Sequence, residues 1–147
     1  MIPAKSHIAV TVIFLCFAQL LCESAAVGQG SGYGPEVRSF LELMRHEEDE
    51  LDFQIKHNEI SHKEYLLAKN RIAVQRQSVV SLVKQRGEDA VPEIHVVTAG
   101  ELDQLIEQNP DDVKRAKPGQ VFDDKWKYVG KAVRGEVFFV FERITVR

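Results

Sequence analysis

The sequence predicts an α+β fold that follows an N-terminal signal segment. Two observations predict this class: apolar residues recur at helical spacing between residues 36 and 86, and β-branched and aromatic residues are concentrated near the C-terminus. We expect a long antiparallel helical hairpin, then a small αβ unit with a C-terminal antiparallel β-hairpin. The predicted segments are a signal peptide over 1–26, a flexible linker over 27–34, the helical hairpin over 35–87 and the αβ unit over 88–147.

The first 26 residues have the layout of an export signal. Lys5 precedes an apolar run from Ile8 to Cys22, and the small residues Ser24 and Ala26 provide a cleavage site. The run is shorter than the roughly 20 residues that a membrane-spanning helix needs, which favours a cleaved signal over a retained anchor. A lipid-modified Cys22 is a further alternative, although Leu21 precedes it where a small residue is usual.

Cleavage after Ala26 would leave a mature chain without cysteine, because Cys16 and Cys22 both lie in the leader. Such a chain has no disulfide and no thiol chemistry, which favours a bacterial periplasm or cell exterior. The net charge of −3 gives no electrostatic attraction to nucleic acid or to an anionic membrane surface. We therefore expect no cofactor, no nucleic-acid partner and no membrane association after cleavage.

The first helix follows the glycine-rich linker, and Pro35 suits its first turn. From Glu36 to about His57 the apolar residues recur three, four and seven positions apart, so that they fall on one side of a helix. These residues are Val37, Phe40, Leu41, Met44, Leu51 and Ile55. Phe53 falls on the opposite, polar side, where the pattern predicts that either the αβ unit or a partner covers it.

A break at residues 58–60 separates this helix from a second one. Ser61 and Glu64 have the spacing of a capping box, in which the serine hydroxyl and the glutamate carboxylate each accept a backbone N–H bond. A second helix is predicted from His62 to about Arg86, and Gly87 ends it.

The second helix also has an apolar side. Its predicted inner face consists of Tyr65, Ala68, Ile72, Val79 and Val83, with Val80 and Leu82 at the edges. Because the connection is short and neither apolar stripe can remain in water, the two helices are predicted to fold back on each other. Glu48 and Arg76 are then placed to form a cross-helix ion pair.

The residues around the break resemble a known family. The SHOCT helical hairpin, a short oligomerisation module, has the pattern Gly-x-Ile-Thr/Ser-x-x-Glu-Phe/Tyr-x-x-x-Lys. The matching residues here are Asn58, Ile60, Ser61, Glu64, Tyr65 and Lys69, with Asn58 where that family usually has Gly. The resemblance covers residues 51–69 and not the rest of the chain. It implies a role in self-association and assigns no binding residues.

The αβ unit begins with Ile94–Val97, a short β-branched run with strand character. Thr98 and Glu101 have the spacing of a second capping box, which predicts a short helix that closes at Asn109–Pro110. The apolar residues of this helix are Leu102, Leu105 and Ile106. Residues 109–119 are polar and are predicted to form turns.

The C-terminal residues predict antiparallel strands at 121–122, 125–130 and 136–146, with a turn near Arg134 and Gly135. The last strand is apolar on both faces. Val137, Phe139 and Phe141 occupy one face, and Phe138, Val140, Ile144 and Val146 occupy the other. We therefore expect this strand to be central in its sheet, or covered on its second side by one of the helices.

Catalytic and metal-binding patterns are weak in this sequence. The serines of the mature chain lie in neither a Gly-x-Ser-x-Gly nor a Ser-x-x-Lys setting. His46, Glu50 and His57 share one side of the first helix, with His62 past the turn, but His46 and His57 are roughly 16 Å apart, too far to share one ion. The acidic run 47–50 lacks the spacing of a calcium loop. No catalytic or metal-binding residue is assigned.

Three aromatic residues remain as interaction candidates: Phe53 on the first helix, and Trp126 and Tyr128 on the β-hairpin. The sequence favours an exported, non-enzymatic bacterial envelope protein that associates, with itself or another protein, through its helical hairpin. A small-ligand or glycan binding module using the aromatic β-hairpin is the alternative. An enzyme of unrecognised type is the second alternative.

Overall fold

The computed structural model describes residues 32–144. Its helices are α1 (Pro35–Lys56), α2 (His62–Arg86), α3 (Leu102–Leu105) and α4 (Pro110–Lys114), with a 3₁₀ turn (Ala99–Glu101) before α3. Its strands are β1 (Ile94–Thr98), β2 (Val121–Phe122), β3 (Trp126–Arg134) and β4 (Glu136–Arg143). The predicted signal peptide, residues 27–31 of the predicted linker and Val146 of the predicted last strand lie outside the described residues.

The strands form an antiparallel sheet in the order β1-β4-β3-β2. Together with the helices, this sheet confirms the predicted α+β class. β4 is central, since its Phe138 is paired with Thr98 of β1 and with Ala132 of β3. Apolar residues on both faces of β4 agree with this position, because a central strand covered on both sides has no solvent-facing side.

The two faces of the sheet belong to two separate cores. On the first face, Phe138 and Val140 are buried with residues of both long helices, namely Val37, Val74, Val79 and Val83. On the second face, Phe139 and Phe141 pack with Tyr128 and with residues around the short helices, namely Leu102, Ile106, Val113 and Phe122. The helix pair and the short helices therefore cover opposite sides of β4, as its two apolar faces require.

The helices α1 and α2 run antiparallel. Glu48 and Asp52 of α1 contact Arg76 and Lys69 of α2, with N–O distances of 3.3 and 2.9 Å, so residue numbers rise along one helix as they fall along the other. The predicted ion pair between Glu48 and Arg76 is confirmed. In the connecting turn Asn58 has a φ of 58°, a left-handed conformation that glycine and asparagine adopt more readily than other residues.

α2 is covered on two sides rather than one. Ile72, Val79 and Val83 of the predicted inner face are buried. Val74, which that predicted face omits, is only 1% exposed and shares a core with Val140 of the sheet. A helix between two layers needs apolar residues towards both of them, and a single stripe describes it incompletely.

The helix α4 lies within residues 109–119, where the sequence predicted only turns. Pro110 occupies the first turn of this helix, where a missing N–H costs nothing, and Asn109 accepts a hydrogen bond from the N–H of Asp111 at 2.9 Å. The Asn109–Pro110 pair therefore begins a helix as well as following one. Val113 of α4 is fully buried in the second core.

A residue from the loop after α2 caps the N-terminus of α1. Gly34 is the N-cap residue and has no side chain to offer, but the Asp89 carboxylate accepts the N–H groups of Glu36 and Val37 at 3.0 and 3.1 Å. Glu36 in turn accepts the N–H of Val91 at 2.8 Å. The two segments thus satisfy each other's free backbone donors, in the manner of a capping box formed between distant parts of the chain.

We expect Asp89→Ala to lower the free energy of unfolding by about 1 kcal/mol, because the start of α1 loses the acceptor for two N–H groups. Asp89→Asn retains an acceptor oxygen for only one of these two N–H groups and should cost about half as much. Gly34→Ala should also destabilise the protein, since a Cβ at this position would overlap the Asp89 carboxylate. Urea denaturation of the three variants measures these effects. An Asp89→Ala variant as stable as the parent would contradict the cap.

Candidate functional site

The three predicted interaction residues differ in their exposure. Phe53 is 50% exposed, and its ring lies 3.9 Å from the ring of His57. Trp126 is partly buried against the second core, and the ring of His95 meets its indole edge-on at 4.6 Å. Tyr128 is only 3% exposed. The aromatic residues of the β-hairpin thus contribute mainly to the core, whereas Phe53 presents a ring to the surface.

Trp126 does not lie on a sheet edge. It pairs with Phe122 of β2 on one side and with Arg143 of β4 on the other. The flanking lysines, Lys125 and Lys127, are exposed.

The predicted capping residues lie at the starts of helical segments. The N–H of Ser61 donates to the Glu64 carboxylate at 2.8 Å, and the N–H of Glu64 donates to the Ser61 hydroxyl at 3.2 Å. Hydrogen bonding of the Glu64 carboxylate to Ser61, through the side chain and the backbone N–H of Ser61, holds the pKa of Glu64 below its ordinary value. At the 3₁₀ turn, the Glu101 carboxylate accepts the N–H of Thr98 at 2.8 Å and its hydroxyl at 3.0 Å.

Three residues near the turn form a polar contact between α1 and α2. The Tyr65 hydroxyl donates to the Asp52 carboxylate at 2.8 Å, and the Lys69 ammonium donates to the same Asp52 oxygen at 2.9 Å and to the Tyr65 oxygen at 2.6 Å. The hydrogen bonds to Tyr65 and Asp52 raise the pKa of Lys69, and the bond from Lys69 lowers the pKa of Asp52.

Arg71 connects α2 to the 3₁₀ turn after β1. One of its terminal nitrogens lies 2.6 and 2.8 Å from the two carboxylate oxygens of Glu101. Burial alone would raise the pKa of Glu101, but hydrogen bonds from Thr98 and Arg71 outweigh it, and the pKa is lowered. The Nε of Arg71 is buried and has no hydrogen-bond partner among the described residues.

Arg71 and Glu101 also line a groove between α1 and α2 with a volume of about 650 Å³. The apolar part of its lining consists of Leu51, Leu67, Ala68 and Ile72. Carboxylates border this apolar part: Glu47, Glu50, Glu64 and Glu101. Leu43 lies one helical turn before Glu47 on α1 and is 53% exposed. The groove thus combines an apolar lining with an acidic border.

The histidines of the first helix do not come together. His46 and Glu50 line the groove, whereas the Nδ1 of His57 lies 2.8 Å from the backbone oxygen of Phe53. Within residues 32–144, no group of three or more His, Cys, Asp or Glu side chains is arranged to hold a metal ion. Glu50 instead accepts a hydrogen bond from the Gln54 side-chain amide at 3.1 Å.

A second cleft, of about 490 Å³, lies between α2 and β3. The helix contributes polar side chains to it, namely Gln77, Ser78, Ser81 and Gln85, and the strand contributes Lys127 and the backbone around Gly130. This cleft exists because α2 contacts β1 and β4 and leaves the adjoining face of β3 open. Of its lining residues, Tyr128 is the one that the sequence analysis named as an interaction candidate.

The sequence did not indicate either the groove or the contact between Arg71 and Glu101. These two residues are 30 positions apart, and no local pattern relates them. The sequence singled out some lining residues for other reasons: Glu47 and Glu50 belong to the acidic run 47–50, and Glu64 and Glu101 are predicted capping residues.

No protein-family model, curated protein or solved structure matches this chain. In the part of the chain that the structure describes, no helix has the combination of length and hydropathy needed to cross a bilayer.

Proposed function

We propose that this chain is a non-enzymatic protein-interaction module that acts through α1 and α2. The observation that carries the proposal is the groove between these helices. Its apolar lining is left open by the described residues, and Leu43 and Phe53 on the same helix are each about half exposed. Exposed large apolar residues next to an open apolar groove are typical of protein-binding surfaces.

The resemblance of residues 51–69 to the SHOCT hairpin supports an association role. Asn58 replaces the usual glycine of that pattern, and its positive φ is a conformation in which glycine is also favoured. Tyr65 and Lys69 of the pattern make the contact with Asp52 across the two helices. The partner is either a second copy of the chain or another protein.

We also propose that the protein is exported, with the bacterial periplasm or the cell exterior as its location. The order of a basic residue, an apolar run and small residues in positions 1–26 supports this proposal. N-terminal sequencing of the protein from its native cells tests it, with Val27 as the expected first residue. An intact Met1 would contradict cleavage.

A small-ligand or glycan site on the aromatic β-hairpin has less support, because Tyr128 is buried and Trp126 is partly covered. The cleft between α2 and β3, which Tyr128 also lines, is the better location for such a ligand. Trp126→Ala tests whether the indole binds a ligand or packs in the core. Loss of glycan binding with an unchanged melting curve would favour ligand binding, whereas a lowered melting temperature would make Trp126 a core residue.

Site-specific photo-crosslinking in the native cells tests the interaction proposal. A photoreactive residue at Leu43 or Phe53 should give a discrete cross-linked product, because both are exposed apolar positions on the helix that forms one wall of the groove. The same residue at Val133, which is 73% exposed on β3, is the matched control and should give no such product. A product of twice the chain mass would indicate self-association. Equal labelling at all three positions, or none at any, would contradict the proposal.

A further inference from the structure

The groove between α1 and α2 has a border of one predominant charge. Four glutamates line it, at positions 47, 50, 64 and 101, and its one arginine is Arg71. The Arg71 guanidinium already contacts both carboxylate oxygens of Glu101. The other three carboxylates therefore have no lysine or arginine partner among the lining residues.

The groove also has the dimensions of a helix-binding surface. Its α1 side extends from His46 to Gln54, about 12 Å along the helix, and the exposed Leu43 extends the apolar surface by a further turn. Ala68 lies between Leu67 and Ile72 in the α2 wall, and its small side chain leaves room for a third helix to approach. Two antiparallel helices with an open apolar groove accept the apolar side of a third helix in this way.

The negative charge of the groove border indicates which kind of helix can bind there. We propose, on the basis of the proposed interaction function, that the groove binds a cationic amphipathic helix of another protein. Its apolar side lies against Leu51, Ala68 and Ile72, and its flanking lysines or arginines face Glu47 and Glu50. A second copy that presented the same groove would bring like carboxylates together, which opposes a symmetric dimer at this surface.

The probe is a model helix of about 20 residues with leucine at helical spacing and lysine elsewhere, labelled for fluorescence anisotropy. Two control peptides have the same length: one has glutamate in place of lysine, and one has the leucines redistributed so that no apolar side forms. The full chain should bind the first peptide at least tenfold more tightly than either control. Raising the salt from low to high concentration should weaken this binding.

Charge reversals in the protein locate the binding. The double variant Glu47→Lys/Glu50→Lys changes the groove border and should weaken binding of the leucine–lysine helix by about tenfold or more. The matched control Glu42→Lys/Asp49→Lys makes the same charge change at exposed positions of α1 outside the groove, and it should change binding by less than about threefold. Melting curves establish that both double variants remain folded.

The outcomes are separable. Equal weakening in both double variants would mean non-specific attraction to acidic residues and would overturn the inference. Sedimentation that shows a dimer of the parent chain, dissociated by Glu47→Lys/Glu50→Lys, would identify a second copy as the occupant and would also overturn it. If photo-crosslinks form at Phe53 while the model helix fails to bind, the interaction function is supported and the proposal of a cationic helix as its partner is wrong. If both experiments fail, both proposals fall.

Discussion

Phe141→Ala should lower the free energy of unfolding by about 3–5 kcal/mol. Phe141 is fully buried on the second face of the sheet, in the central strand β4. Its ring centroid lies 5.5 Å from that of Tyr128 and 6.1 Å from that of Phe122, which it meets nearly perpendicularly. The substitution removes these aromatic contacts and leaves a cavity that the short helices cannot fill without moving. Because domains are stable by only about 5–15 kcal/mol, the loss is a large fraction of the total.

Urea and thermal denaturation measure this effect, and Tm should fall by more than about 10 °C. Val133→Ala in the same sheet is the control, since Val133 is 73% exposed and should change the stability by less than about 0.5 kcal/mol. If the two variants were equally stable, the second face of the sheet would not be packed as described. Phe138→Ala makes the same test of the first core, because Phe138 is also fully buried, and its loss of stability can be compared with that of Phe141→Ala.

The local patterns of the sequence predicted much of the fold. The helical spacing predicted α1 and α2 within a residue or two of their ends. The two-sided apolar pattern predicted that β4 is central or covered on its second side, and β4 is both. Prediction failed where a residue's environment is set by a distant layer. Val74 lies off the predicted stripe of α2, and only the sheet packed against that side explains its burial.

The candidate site was less predictable for the same reason. Phe53 could be identified because an aromatic residue on the polar side of a helix is a local anomaly. Tyr128 could not be separated from the core by alternation alone, since the covering residues Leu102 and Val113 come from other segments. The Asp89 cap and the Arg71–Glu101 contact each join segments tens of residues apart, and a capping motif read from spacing detects only neighbours.

Glu101→Ala should lower the free energy of unfolding by about 2–3 kcal/mol. The carboxylate accepts hydrogen bonds from the Thr98 N–H, the Thr98 hydroxyl and the Arg71 guanidinium, so one substitution removes all three. The cost is below the 3–5 kcal/mol of a fully buried ion pair, because about a third of each side chain is exposed and water partly solvates the released guanidinium. Glu101→Gln keeps an acceptor for Thr98 and loses the charge, so it should cost about half as much.

The pH dependence separates the charge of Glu101 from its capping role. Its pKa is lower in the folded state than the ordinary value of 4.5, so its contribution to stability is complete above about pH 4.5 and is lost as the pH falls through the lowered value. Asp52 and Glu64 also have lowered pKa values and add to the acid destabilisation of the parent. Asp52 and Glu64 are present in both the parent and Glu101→Gln, so their contributions cancel in the difference between the two unfolding free energies. This difference should shrink towards zero on acidification.

Glu64→Gln is the control that separates the capping role of Glu101 from its ion pair with Arg71. Glu64 is also a capping-box carboxylate, but it has no ion-pair partner among the described residues, and glutamine can take its place in the motif. Its substitution should change stability little at neutral pH, whereas Glu101→Gln loses the attraction to Arg71. If both glutamine variants behaved alike, capping alone would account for Glu101, and the contact with Arg71 would add nothing to the connection between α2 and the turn after β1.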